Sequence, residues 1–382
     1  MRLFDYRNQI GPIQPFGGSM NRRDFTKLST LTAASLRLPH ALAQNAASTQ
    51  KPIGFAAVGI GSISTAFMES VASSPNVKIV ALVTGHPDTK GVQFSQMYGI
   101  PKSSVYTYET FDQVRNNPEI DAIYIGLPNS MHCEYTVRGA QAGKHILCEK
   151  PMAISSAECR TMIDACRKAD RKLMIAYRMQ YDPIWQQAAD IIRSGALGKI
   201  QSFRGCMLQS QANGWRQTKQ YGGGGSLMDL GIYPLNGIRY FTQEEPSEFT
   251  AVLATRDKDD PRFKEVEQSV EWTMKFPSGI IASCGSSYGQ FGPMTLSIHG
   301  DQGYISLNPA FGGGGIQLTG SAGSQRFDQT GTGKGHFQLA LEGEHMASCI
   351  RNNTQPHSPG EEGLKDLIAI ERIYQAAGSP IA

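Results

Sequence analysis

The chain has 382 residues, 40% of them apolar and 18% charged, with a formal net charge of +3. That length suggests roughly two or three domains, and the composition is that of ordinary globular proteins. The small, evenly spread charge argues against nucleic acid or an anionic membrane as partner, and no stretch approaches the roughly twenty consecutive apolar residues of a membrane span.

In chain order, residues 20–43 come first, reading MNRRDFTKLSTLTAASLRLPHALA. The basic pair Arg22–Arg23 precedes a mildly apolar stretch that ends on the small-residue pattern ALA before Gln44. This resembles a twin-arginine export signal, with Met20 a candidate start as well as Met1; a plain basic tail is the alternative. Such a signal implies periplasmic delivery by the twin-arginine machinery, which carries folded and often cofactor-loaded cargo. Residues 44–51 would then be a short mature arm.

Next comes the apolar run IGFAAV (53–58), then GIGSIS, then a helical segment stopped at Pro75. Strand, glycines and helix are the context a dinucleotide loop requires. Gly59 allows the tight turn and Gly61 a close approach of backbone to pyrophosphate at the helix N-terminus. Ser64 replaces the third glycine, which weakens the motif. VKIVALVTG (77–85) reads as the second strand. The ribose-binding acid expected at its end is missing; Thr84, Gly85 and His86 stand there, with Lys90 beyond. Thr84 and Lys90 suit a 2'-phosphate, so NADP is expected rather than NAD. Asp88 would supply the acid if the loop register differs, and Lys90 reads equally as a surface lysine.

Strand and helix keep alternating: strand 119–128, helix 130–143, strand 145–151, helix 156–170, strand 172–177. The pattern predicts a parallel α/β domain over 52–177. Ligands bind beyond the carboxyl ends of such strands, where Pro128, Asn129, Lys150 and Tyr177 fall. After residue 178 the rhythm changes. A helix over 183–198, strand-like patterning from 199, and alternating segments at 266–279 and 294–307 predict an α+β domain over 178–382. Its sheet should be large, open and mainly antiparallel. FGGGG (311–315) and GTGKGHF (331–337) read as loops; the second lacks the spacing of a P-loop. Residues 338–351 and 361–376 read as closing helices, which would pack back on the first domain. The seven cysteines are scattered and form no CxxC, which suits core thiols better than a disulfide framework or a zinc site. His345, on the amphipathic helix, reads as an ordinary partly buried histidine.

Asp229 and Tyr233 stand four apart behind the run Gly222–Gly225, a spacing that puts both on one helix face. With the glycine loop, CEKP (148–151), YR (177–178) and GGGGSLMDLGIYPLNGIRYF now placed, the chain resembles the Gfo/Idh/MocA-type oxidoreductases over about residues 52–380. WR (215–216), GEEG (360–363) and the export signal look like the glucose–fructose and aldose–aldose oxidoreductase subgroup. The resemblance implies that Lys150, Asp229 and Tyr233 are catalytic and that NADP(H) is tightly bound. Gly59, Gly61, Ser62, Ile63, Thr84, His86, Lys90, Tyr108, Leu127, Pro128, Asn129, His132, Glu149, Lys150 and Arg178 would form the cofactor shell. Arg178, Trp215 and Arg216 would join the catalytic groups around a sugar. A homodimer or homotetramer is implied too, although the short arm puts the subgroup's arm-wrapped tetramer in doubt.

The chemistry suits these residue types. A sugar C1 hydroxyl must lose its proton as hydride leaves. A tyrosine, with an ordinary pKa of about 10, becomes a better base beside an ammonium such as Lys150. Asp229 would oppose that effect, so it is assigned to a sugar hydroxyl or to orienting Lys150. A retained cofactor would then oxidise one sugar to a lactone and reduce another sugar or carbonyl. Two other readings remain: an NADP-dependent aldose or diol dehydrogenase that releases its cofactor, and a non-catalytic periplasmic sugar-binding protein. The Lys150, Asp229 and Tyr233 set argues against the second.

Overall fold

The computed structural model describes residues 51–212 and 214–380. The expected leader over 1–43, its start codon and all but the end of the 44–51 arm lie outside the described residues. The first layer runs β1 (Ile53–Val58), α1 (Ser62–Val71), β2 (Val77–Val83), α2 (Val92–Tyr98), β3 (Val105–Tyr106), β4 (Ala122–Ile125), α3 (His132–Gln141), β5 (His145–Glu149), α4 (Ser156–Lys168) and β6 (Leu173–Ala176). Its six strands are all parallel, in the order β3-β2-β1-β4-β5-β6. This is the doubly wound nucleotide fold, whose strand order reverses beside β1. Every residue of β1, β4 and β6 is buried, as expected of strands covered on both faces. α4 starts where Ser155 accepts from the Glu158 N–H at 3.2 Å, a side-chain cap that satisfies a free helix donor.

The second layer runs α5 (Pro183–Arg193), β7 (Ile200–Leu208), α6 (Lys219–Gly222), α7 (Ile232–Thr242), β8 (Glu248–Ala254), β9 (Ser269–Lys275), β10 (Ile281–Ser287), β11 (Thr295–Gly300), β12 (Gly303–Asn308), β13 (Gln317–Ala322), β14 (Gln325–Thr330), α8 (Phe337–Asn352) and α9 (Gly360–Ala376). Its eight strands are ordered β14-β13-β12-β11-β7-β10-β9-β8, antiparallel except for the β7–β10 pair. The helices cover one face, and Trp185 of α5 is buried there against Phe241 and Phe311. The other face carries exposed Arg204, Glu271, Thr273 and Thr319. α8 returns to the first layer, where Gly343 lies against Phe67 and Val71 of α1. Ser358, before α9, bonds across β6. All seven cysteines are free thiols. No described helix is long and apolar enough to cross a membrane.

A buried ion cluster ties α7 to α9. The Arg239 guanidinium, almost wholly buried, pairs with Asp366, Glu245 and Glu362, and Asn236 donates to Asp366 at 2.9 Å. Arg239→Met leaves Asp366 as an unpaired buried charge. It should cost about 3–5 kcal/mol, read as a lower midpoint in urea unfolding, and adding Asp366→Leu should recover much of that loss.

Candidate active site

The glycine loop has the geometry a dinucleotide needs. Gly59 has φ +80°, and a Cβ there would crowd Leu127 and the Gly126 carbonyl. Gly61, at the start of α1, faces open space, and no side chain caps the helix. Its first N–H groups are therefore free for an anion. Gly61 and Ser62 are exposed, Ile63 is half-buried, and Ser64 is buried with its hydroxyl 3.5 Å from the Gly126 carbonyl. Ser64 thus fills the place of the third glycine and packs α1 against β4.

At the end of β2 the chain enters a π-helical turn, Pro87–Gly91. Lys90 reaches back across the crevice, its ammonium 3.0 Å from the Ile60 carbonyl of the glycine loop. Thr84 is buried and its hydroxyl accepts from the His86 N–H at 3.1 Å, while the His86 ring is exposed. Asp88 opens the π-turn and is exposed. Tyr108 closes the wall beside Gly85. Beyond β4, Pro128 and Asn129 start a short turn, and the Asn129 amide donates to the Gly222 carbonyl at 2.9 Å, tying this loop to the second layer. His132 is fully buried, with one ring nitrogen 2.9 Å from the Leu127 carbonyl and the other 2.9 Å from that of Pro151. It braces the two loops from behind, and burial lowers its pKa.

Lys150, Asp229 and Tyr233 do come together. The Lys150 ammonium donates to the Asp229 carbonyl at 2.8 Å and to its Oδ1 at 3.3 Å, and lies 4.5 Å from the centre of the Tyr233 ring. The local structure differs from a plain helix. Asp229 sits in a π-helical turn, Leu227–Gly231, and Tyr233 in the first turn of α7. Pro234 has no N–H to return to Leu230, which suits the widened turn. Gly224 and Gly225 are there for close packing: a Cβ on either would collide with Tyr374 or Glu267. Glu267 in turn accepts from the N–H groups of Gly225 and Leu227, both at 2.9 Å.

Asp229 is fully engaged. Its Oδ2 accepts from Arg216 at 2.9 Å and from the Tyr288 hydroxyl at 2.7 Å. Burial would raise its carboxyl; the Lys150 and Arg216 charges overcome that and hold it below the usual range. Burial likewise opposes the Lys150 charge, and Tyr233, Asp229 and Glu149 together raise its pKa above the ordinary value. Glu149, behind the site, accepts from the Tyr124 hydroxyl at 2.6 Å. Arg178 lies 5.6 Å from the Tyr233 ring centre, but its guanidinium donates to the carbonyls of Phe311 (2.7 Å) and Gly312 (2.9 Å). It therefore pins the 311–315 loop beside Tyr233. Trp215 and Arg216 share a short turn, the guanidinium 4.3 Å from the indole, and Arg216 carries that turn to Asp229. A small cavity opens between Lys150, Tyr177, Arg178, Tyr233 and Asn236. Two roomier clefts, beside Glu267 and beside Arg171, hold none of the three central groups.

Sequence spacing did not point to Tyr288 or Glu267. Both come from the second sheet, dozens of residues from Asp229, and only strand pairing brings them there. Among the described residues, no group of three or more His, Cys, Asp or Glu could hold a metal ion.

The fold and this site define a nucleotide-dependent oxidoreductase. The model of the oxidoreductase family with an NAD-binding Rossmann fold matches residues 53–177, and that of the GFO/IDH/MocA C-terminal domain matches residues 185–306. The chain belongs to the GFO/IDH/MocA oxidoreductase family. It is similar to the crystal structure of an aldose–aldose oxidoreductase from Caulobacter crescentus complexed with glycerol, with 38% identity, a TM-score of 0.82, and 86% of this chain and 98% of that one covered. It is also similar to a D-xylose 1-dehydrogenase [NADP(+)] of Haloarcula marismortui, 29% identical over 87% of this chain and 93% of the relative. A trans-1,2-dihydrobenzene-1,2-diol dehydrogenase of Xenopus laevis is 26% identical over 76% and 87%.

The Lys150–Asp229 pair stabilises across the neutral range. Asp229, with a depressed pKa, contributes above the unfolded value of about 3.9 and loses its contribution as pH falls through the folded value. Lys150, with a raised pKa, contributes below the unfolded value of about 10.4 and loses it as pH rises through the folded one. Asp229→Asn should therefore lower Tm at neutral pH, and the gap to the parent protein should close as the pH drops below about 4, as thermal unfolding against pH would show.

Proposed function

We propose that the protein is an NADP-dependent sugar oxidoreductase that oxidises an aldose at C1 to a lactone and reduces a second sugar or carbonyl with the same retained nucleotide. The observation that carries this is the Lys150 ammonium held by Asp229 against the Tyr233 ring, at the carboxyl end of β5. The 38% identity to an aldose–aldose oxidoreductase supports the paired half-reactions. The open space at Gly61 and the uncapped start of α1 fit a pyrophosphate. Lys90, laid across the crevice, is placed for a 2'-phosphate, with Thr84 beneath it.

A nicotinamide held by the glycine loop would supply reversible hydride transfer between the two substrates. The protein's own part is proton handling and orientation. Tyr233 takes the C1 hydroxyl proton and gives it back to the acceptor carbonyl. Lys150 steadies the negative charge that develops on the sugar oxygen, a stabilisation that grows as water is excluded. Asp229, whose oxygens already take three donors, fixes Lys150 and Arg216 rather than acting as base. Trp215 offers an apolar face and Arg216 a hydrogen-bonding fork to the sugar. The similarity to a D-xylose dehydrogenase favours a second reading, an NADP-dependent aldose dehydrogenase that releases its cofactor. We also propose export in folded form through the Arg22–Arg23 signal, and self-association through the open sheet face. Fractionation of an Arg22→Lys/Arg23→Lys variant tests the first, and ultracentrifugation the second.

Tyr233→Phe should cut turnover by roughly 10²-fold or more while nucleotide binding is kept; full activity would refute the mechanism. The absorbance of the dialysed protein separates the two readings: a bound nicotinamide signal that one sugar changes and another restores supports the retained cofactor. Lys90→Ala should weaken NADP binding by about tenfold and leave NAD binding little changed, measured by fluorescence titration.

A further inference from the structure

Behind the site lies a buried acid that the mechanism above does not use. Glu342, on α8, is wholly inaccessible, and neither of its carboxylate oxygens has a hydrogen-bond partner among the described residues. One turn earlier on the same helix, Gln338 is also wholly buried. Its amide nitrogen donates to Asp182 at 2.9 Å, and its oxygen again lacks a partner. The four-residue spacing puts both side chains on one helix face. Three buried acceptor oxygens on one face of α8 therefore have no donor among the described residues, an arrangement that is costly for a neutral group and far more so for an ionised one. A single proton changes this, because a neutral carboxyl donates through one oxygen while its other oxygen needs less.

The charged and titratable groups that face Glu342 are Glu149 at the end of β5, Tyr124 on β4, and Arg178 and Tyr181 after β6. The next residue on α8, Gly343, packs against Phe67 and Val71 of α1. Glu149 differs from Glu342 in having donors, the Tyr124 hydroxyl at 2.6 Å and the Lys150 N–H at 3.2 Å. The anion of this pair is thus best housed on Glu149. Burial and the Glu149 charge both push the Glu342 carboxyl well above the usual range, and Arg178 opposes them only in part.

We propose that Glu342 is a positioning residue that carries a proton at neutral pH, so that a single negative charge, on Glu149, lies between Lys150 and Arg178. Lys150 and Arg178 lie over the Tyr233 ring, and with Arg216 they make three cations against two anions (Asp229 and Glu149) in this cluster, an excess of one positive charge. That excess favours removal of a proton from the substrate hydroxyl. Ionising Glu342 cancels it and draws Arg178 away from the 311–315 loop. The kinetic consequence rests on the Tyr233 reading; the proton itself does not.

The test is an infrared difference spectrum of substrate-free protein, parent against Glu342→Gln, at neutral pH. The parent should show the carbonyl stretch of a neutral carboxylic acid, and the variant should lack it. In kinetics, Glu342→Gln should keep activity within about threefold at neutral pH, because the amide copies the neutral acid, and Glu342→Ala should lose roughly tenfold or more. The parent kcat/KM should fall at alkaline pH as Glu342 ionises, and in Glu342→Gln the fall should move up to the pH at which Lys150 loses its proton. A parent spectrum without the band overturns the protonation, and a Glu342→Gln profile that superimposes on the parent's overturns the positioning role. If Glu342→Gln does not fold, the same difference spectrum taken against Glu342→Met decides the protonation by itself.

Discussion

An ammonium taken largely out of water must be given acceptors, and for Lys150 those acceptors come from the other half of the molecule. Its lysine stem leaves the end of β5 in the nucleotide layer, while both Asp229 atoms that receive its protons belong to the π-turn before α7. Burial by itself disfavours the charge on this side chain; Tyr233, Asp229 and Glu149 outweigh it. The candidate site is therefore complete only when the two layers are packed. A cation held by a main-chain carbonyl as well as a carboxylate has little freedom to turn away.

The parts around this contact serve to hold it. Glu267 caps the N-terminal end of the π-turn, the glycines before it let the chain press against Tyr374 and Glu267, and Asn129 joins the first-layer loop to Gly222. Arg178 performs the same service for the 311–315 loop, which brings Phe311 within 5.7 Å of the Tyr233 ring. Asp229 emerges as the hub of the arrangement rather than its base: one carboxylate orders Lys150, Arg216 and Tyr288 at once.

Much of the fold was legible because its signals are local. Apolar runs marked β1, β2, β5 and β6 within two residues of their observed bounds, whereas the strand expected over 119–128 is the four-residue β4, and glycine and proline stops marked the helices between them. The two-residue β3, the short α2, the edge strands β8 and β14, and β13 beside β14 left no such mark, because little of each is buried. In the site, Lys150, Asp229 and Tyr233 were found from motif and spacing, although the spacing implied a regular helix where a π-turn occurs. His132 and Arg178 were expected to line the cofactor. Their hydrogen bonds instead run to main-chain carbonyls, a choice that depends on which loops lie nearby.

By itself the sequence determined the alternation that makes a parallel nucleotide layer, the glycine turn that leaves room for a phosphate, and the chemical character of the reacting groups. Each of these depends on neighbours within a few residues, through backbone sterics, periodicity or side-chain type. Only the tertiary structure decided that Tyr288 and Arg216 would share Asp229 with Lys150, and that Lys90 would lie across the crevice to Ile60. It likewise left Glu342 without a partner beside Glu149. Hydrogen bonding and desolvation act over a few ångströms in space, and residues far apart in the chain meet at that range only once the sheets have paired.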